Sequence, residues 1–315
     1  MGMVAGLLAM LAALLAGCRD SPPPELPGAA SEPAGAVRQL ADHLRSNDLA
    51  AFARDALPPA EHDRLAAAWA QDHSRWPLTE LPLDDRLPGL LAGLAAPGSE
   101  ARLRREFDRQ FAGQEAALRD AARSLALFGG QYLKQQAQYT SEERDHYAQV
   151  VAALGTWAAG APLGERDHAY AAIDRLAAAA RATGLGAGDD ALRQAGMEQS
   201  LLRLGPLLAD AKAVLASYGL DLDHSLAELR VGLVEQQGDS AVVRIQYPLG
   251  STAIDTTISL TRRDGHWYMN DYLAHAAQLA VPAPALPGLP APPPADAPAP
   301  ATGPAGEATA PAPAR

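Results

Sequence analysis

Apolar positions recur at helical spacing from about Gly35 to Tyr218 and then switch to strict alternation from about Leu226 to Met269. In the helical stretch Val37, Leu40, Ala41 and Leu44 share one face of a first helix, and Ser46-Asn47-Asp48 offers capping groups for the next. Leu57-Pro58-Pro59 ends that helix and starts another through Trp69. A Pro-rich connection runs from Pro77 to Pro88, and Ser99 caps a long helix. Its stripe is Leu103, Phe107, Phe111, Leu118 and Leu125, with Gln114 inside it and Gly129-Gly130 as the interruption. Thr140 and Glu143 have capping-box spacing before a helix ending near Gly160. Further helices run from about Glu165 to Thr183 and, after the loop Gly184-Leu185-Gly186-Ala187-Gly188, on to Tyr218.

In the alternating stretch, Leu229, Val231 and Leu233 fall on one face, Val243, Ile245 and Tyr247 on one face, and Ile254, Thr256, Ile258 and Leu260 on another. Gly238-Asp239 and Asp264-Gly265 separate these runs, the second a strong signal for a tight hairpin. The pattern therefore predicts an α+β chain: a mainly α-helical N-terminal portion followed by a small antiparallel sheet of about four strands, one face packed on helices. The organisation reads as residues 1–17 (apolar leader), 18–34 (flexible tether), 35–220 (helical), 221–280 (sheet) and 281–315 (tail). The tail is almost wholly Pro, Ala and Gly and cannot bury enough apolar surface to offset its ordering entropy, so disorder is expected there.

Charge narrows the partners. The chain has 26 Lys plus Arg against 37 Asp plus Glu, a net charge of -11. No broad basic surface is available for nucleic acid. The sharpest chemical pattern is Glu143-x-x-His146 with Glu165-x-x-His168, since paired E-x-x-H motifs hold metal pairs in helical bundles. Both motifs open consecutive helices, however. In an antiparallel hairpin their starts would lie about 25–30 Å apart, and acidic residues favour first helical turns without any metal. Asp-His pairs at Asp42-His43, Asp72-His73, Asp145-His146, Asp167-His168 and Asp223-His224 point their members about 100° apart on a helix and do not form dyads by sequence. No G-x-S-x-G elbow or P-loop is present, and the loop at residues 184–188 lies between helices and not after a strand. Arg102, Arg104, Arg105 and Arg109 are interleaved with Glu100, Glu106 and Asp108, which reads as a solvated, self-paired helix face. Trp69, Trp76, Trp157 and Trp267, with Tyr247 and Tyr268, read as core aromatics before a ligand pocket. No catalytic residue, metal ligand or cofactor is assigned.

The single cysteine, Cys18, closes the run Leu15-Ala16-Gly17-Cys18 after an apolar segment of about twelve residues, signal-peptide length and too short to span a bilayer. This run resembles the lipobox of bacterial lipoproteins. The resemblance implies cleavage before Cys18, a diacylglyceryl group on its sulfur and further acylation of the new amino terminus, which together give a stable membrane anchor. The position after the cysteine is Arg19 and not the Asp that favours inner-membrane retention in enterobacterial lipoproteins. The implied address is the outer membrane, facing the periplasm. With Cys18 lipidated, no thiol is left for a disulfide.

At Asp264-Gly265-His266-Trp267-Tyr268-Met269 a charged strand, a DG turn and a short Trp-containing strand resemble the end of NTF2-like or cystatin-like domains. The segment from Leu44 to Phe52 resembles their first helical pair. In such folds a curved sheet wraps helices. Three functional expectations follow: a lipid-anchored binding or scaffolding module contacting envelope proteins or peptidoglycan, a small-ligand carrier using a concavity in the sheet, and an enzyme of unrecognised type, which would need titratable residues meeting in a cleft.

Overall fold

The computed structural model describes residues 32–80, 86–135 and 139–279, all within one compact unit. Cys18, the leader, most of the tether and the tail lie outside the described residues. The architecture is α+β, with helices first and a four-stranded antiparallel sheet after them.

Helix α1 (Pro33–Arg45) buries Ala36, Val37 and Leu40. Asp48 then caps α2 (Leu49–Asp55) by accepting from Ala51 N at 2.9 Å, and Pro59 opens α3 (Pro59–Ala70). The Pro-rich connection is more structured than expected. It holds a 3-10 turn (Leu78–Glu80) and leads into α4 (Leu87–Ala95), whose Leu91 is buried in the main core.

The predicted long helix is two. Gly113 takes a φ of 73°, which splits α5 (Ser99–Gln110) from α6 (Glu115–Lys134) and places Gln114 at the N-cap of the second. Ser99 is no cap either: Gly98 takes that place, and the Ser99 hydroxyl donates to Leu94 O at 2.6 Å, tying α5 to α4. Gly129-Gly130 does not interrupt α6, which runs through both glycines.

Helix α7 (Ser141–Gly160) starts with the expected capping box between Thr140 and Glu143. Helices α8 (Arg166–Ala182) and α9 (Asp189–Ser217) follow. Helix α9 kinks at Gly196, where Leu192 O accepts instead from the Trp69 indole at 2.9 Å and the Ser200 hydroxyl at 3.2 Å. A short α10 (Leu222–Ala227) leads into the sheet.

Strands β1 (Arg230–Gln237), β2 (Ser240–Leu249), β3 (Thr252–Arg263) and β4 (His266–Met269) form a meander in that order. Asp264 and Gly265 take φ of 52° and 83°, the pattern of a type I′ turn. The register pairs Val243 with Ile258 and Ala241 with Leu260, so one face gathers the apolar set. Val243, Ile254 and Leu260 are fully buried there, covered by Ala36 and Val37 of α1 at one end and by Ala153 of α7 at the other. The region expected to be wholly sheet closes on a further helix, α11 (Asn270–Leu279), which packs on α3, β3 and β4.

Helices α3, α4, α8 and α9 enclose the main core around Trp69, Trp76, Leu192 and Leu201. Helix α7 lies on β2 and β3. Helix α6 lies on α7, its principal neighbour.

Candidate functional site

Two features stand apart from ordinary core. The first is a polar cluster where the 3-10 turn, the start of α7 and the middle of α11 converge. His275 Nδ1 meets Glu80 Oε2 at 2.8 Å, and its Nε2 faces Glu143 Oε1 at 3.7 Å. Glu143 is 7% exposed. Its Oε2 accepts from Thr140 N at 2.7 Å, while Oε1 has no hydrogen-bond donor among the described residues. The hydrogen bond to Glu80 raises the His275 pKa, with Glu143 and Asp271 acting in the same direction and burial opposing them. Burial, then Glu143, pushes the Asp271 carboxyl up to about 6. Burial and the nearby carboxylates also raise the Tyr147 and Tyr272 hydroxyls, so both stay neutral. Chemically, this arrangement takes up protons as pH falls toward 6. Neither the pocket lined by Glu115 and Gly164 nor the groove between α6 and α7 reaches it.

The second feature is α6. It contributes no buried residue, and it touches α7 along Leu118, Ala122, Ala126 and Gly129. Leu125, Leu127, Phe128 and Tyr132 are 71%, 62%, 66% and 65% exposed. Along one side of the pair runs a groove of about 780 Å³. It is lined by the small residues Ala148, Ala152, Gly155 and Ala159 of α7 and by Leu127 of α6. The approach of the two helices is close: a Cβ on Gly155 would sit 2.2 Å from the Ala126 Cβ.

The E-x-x-H residues do not come together. Helix α8 packs on α4, α5 and α9. His146 Nε2 bonds the Tyr247 hydroxyl at 2.8 Å, and burial lowers the His146 pKa. His168 Nδ1 bonds Glu165 at 3.1 Å on its own helix. Among the described residues no group of His, Cys, Asp and Glu has metal-holding geometry.

Asp72-His73 lies in the turn after α3 and not on a helix, with Asp72 at a φ of 63° and paired with Arg75. His43 bonds Asp55 of α2 at 2.8 Å instead of Asp42, which pairs with Arg45. Asp223 pairs with Lys212, whose Nζ also donates to Leu44 O and Arg45 O at 3.0 Å each. The arginine face of α5 is paired across helices as well as along its own: Arg104 with Asp174 and, from α8, Arg166 with Asp108 and Arg181 with Glu100. Trp69, Trp76 and Trp267 are core, and the Trp157 indole donates to Tyr218 O at 2.8 Å.

His275, Asp271 and Glu80 were not singled out by the sequence reading. The available signal was the spacing of Tyr272, Leu273, Ala276 and Leu279 after Met269, a helical period hidden between a strand and the Pro-rich tail. No family model, curated protein or solved structure matches the chain.

Proposed function

We propose that this chain is a lipid-anchored envelope protein acting as a binding or scaffolding module at the periplasmic face of the outer membrane. The observation that supports the binding half is α6. Helix α6 carries more apolar surface than its one packing contact covers: one stripe meets α7, while Leu125, Leu127, Phe128 and Tyr132 face solvent. Exposed apolar patches of this size mark interaction sites. The address half rests on Leu15-Ala16-Gly17-Cys18. The sheet offers less to a ligand-carrier reading, because Val243, Ile254, Leu260 and Trp267 fill its inner face.

The test is crosslinking in intact envelopes followed by mass spectrometry, with wild type compared against Cys18→Ala. The expected result is a defined partner set in wild type. The Cys18→Ala chain is expected to be released from membranes with an unchanged melting temperature. Unaltered mass and membrane association in Cys18→Ala would sink the anchor, and a wild-type sample with no reproducible partner would sink the binding module.

A further inference from the structure

We propose that the uncovered face of α6 is a self-association surface and that its partner is α6 of a second copy of this chain. The inference rests on the binding-module reading and names the partner of that same surface.

Area comes first. The exposed parts of Leu125, Phe128 and Tyr132, the large side chains on this face, amount to roughly 400 Å² per copy, taking about 200 Å² for each whole side chain. Ala117, Ala121 and Ser124 on the same face are exposed too, and with them two copies closing on one another would bury roughly 1,000 Å², the least a specific interface needs.

Geometry comes next. Ala121, Leu125, Phe128 and Tyr132 follow i, i+4, i+7, i+11 spacing and form a single ridge. The ridge is small at its Ala121 end and bulky at its Tyr132 end, so in an antiparallel pairing each bulky end meets the small end of the other copy. A two-fold contact requires only that one patch be self-complementary. The product is a layered arrangement, α7–α6 against α6–α7 of the second copy, in which both ridges become interior.

Charge argues for protein over lipid. Helices that lie in an anionic membrane surface carry a row of Lys and Arg along their polar face. Helix α6 has Arg119, Arg123 and Lys134 against Glu115 and Asp120, and Arg123 lies 3.7 Å from Asp120. The whole chain, at -11, is repelled by anionic headgroups.

The test uses the full chain. In a Cys18→Ala background no thiol remains, so Ser124→Cys places one on the face and Gln237→Cys places a control at the β1–β2 turn. Under mild oxidation Ser124→Cys is expected to give a disulfide-linked dimer on a non-reducing gel, and Gln237→Cys is not. In sedimentation velocity the Cys18→Ala chain is expected to run as a dimer, and Leu125→Asp with Phe128→Asp is expected to weaken association at least tenfold. Both positions are exposed, so the double variant should keep its melting temperature; if it does not fold, the Ser124→Cys crosslink decides alone. A monomer up to roughly 100 µM with no Ser124→Cys dimer overturns the proposal. So does a monomer that floats with neutral phosphatidylcholine vesicles through this face. Envelope crosslinks from Ser124→Cys to a different protein, without self-crosslinks, overturn the self-association while leaving the binding-module reading intact.

Discussion

Replacing Asp271 by Asn is expected to stabilise the protein near neutral pH. The Asp271 carboxyl rises from an ordinary 3.8 to about 6 because burial, and then Glu143, disfavour its charge. For a fully buried group that difference is worth about 3 kcal/mol at pH 7.5. Asp271 is half-buried, so solvent screening reduces this to about 1.5 kcal/mol. It also sits in the first turn of α11, where the helix dipole favours the negative charge by about 0.5 kcal/mol. The net expectation for Asp271→Asn is a gain of about 1 kcal/mol at pH 7.5, or about 2–4 °C in melting temperature for a domain of this size.

The sign reverses the usual carboxylate case. A raised folded pKa means the native state binds more protons than the unfolded chain between about pH 4 and pH 6, so this contribution is lost as pH rises through that window. His275, also raised, adds stability that is present below its ordinary 6.5 and lost as pH rises through its folded value. The opposite limb comes from carboxylates held low. Asp255 is held at about 2 by Arg244 and Gln246, and Glu100 at about 2 by Arg181. Stability from these is lost as pH falls from their ordinary range toward 2. Thermal denaturation of wild type and Asp271→Asn at pH 7.5 and pH 4 is the assay. The advantage should shrink to a few tenths of a kcal/mol at pH 4. A destabilised Asp271→Asn at pH 7.5, or the same difference at both pH values, would refute the electrostatic account of the cluster.

Gly155→Ala would drive a Cβ to 2.2 Å from the Ala126 Cβ, so α6 must shift outward at a cost of about 1–3 kcal/mol; an unchanged melting temperature would mean the two helices do not pack as closely as described. Lys212→Met strips donors from Leu44 O and Arg45 O at the end of α1 and should cost about 2–3 kcal/mol in urea denaturation; a neutral result would show that water replaces the ammonium there. Deleting residues 281–315 should leave the melting temperature unchanged, and a drop of several degrees would show that this segment packs on the rest.

The legible parts of the fold were those written in short-range chemistry. The Asp264-Gly265 turn, the Thr140–Glu143 capping box, the Asp48 cap and the alternation of Val243 and Ile245 each depend on neighbours within a few residues, and each forms as the sequence indicates. Where sequence and structure part, a local signal had two outcomes. Gly113 and Gly129-Gly130 carry the same residue type. The φ of 73° falls at Gly113 alone, and Gly129 stays helical, with Val151 of α7 3.1 Å from where its Cβ would stand. The stripe from Leu103 to Leu125 predicts one apolar face, yet Leu125 and Phe111 on it are exposed, because periodicity states that a helix has an apolar face and not what covers it.

By itself, then, the sequence determined the helix-then-sheet order, the Asp264-Gly265 turn and the caps at Asp48 and Thr140, since backbone geometry settles these within a turn or two. Only the tertiary structure decided which distant groups meet. It brought Glu80, Glu143 and His275 together across nearly 200 residues of chain, sent His43 to Asp55 and Lys212 to the end of α1, and left α6 with an apolar face uncovered. Pairings of that kind follow from how elements dock, which depends on the packing of the whole core and leaves no periodic trace in the chain.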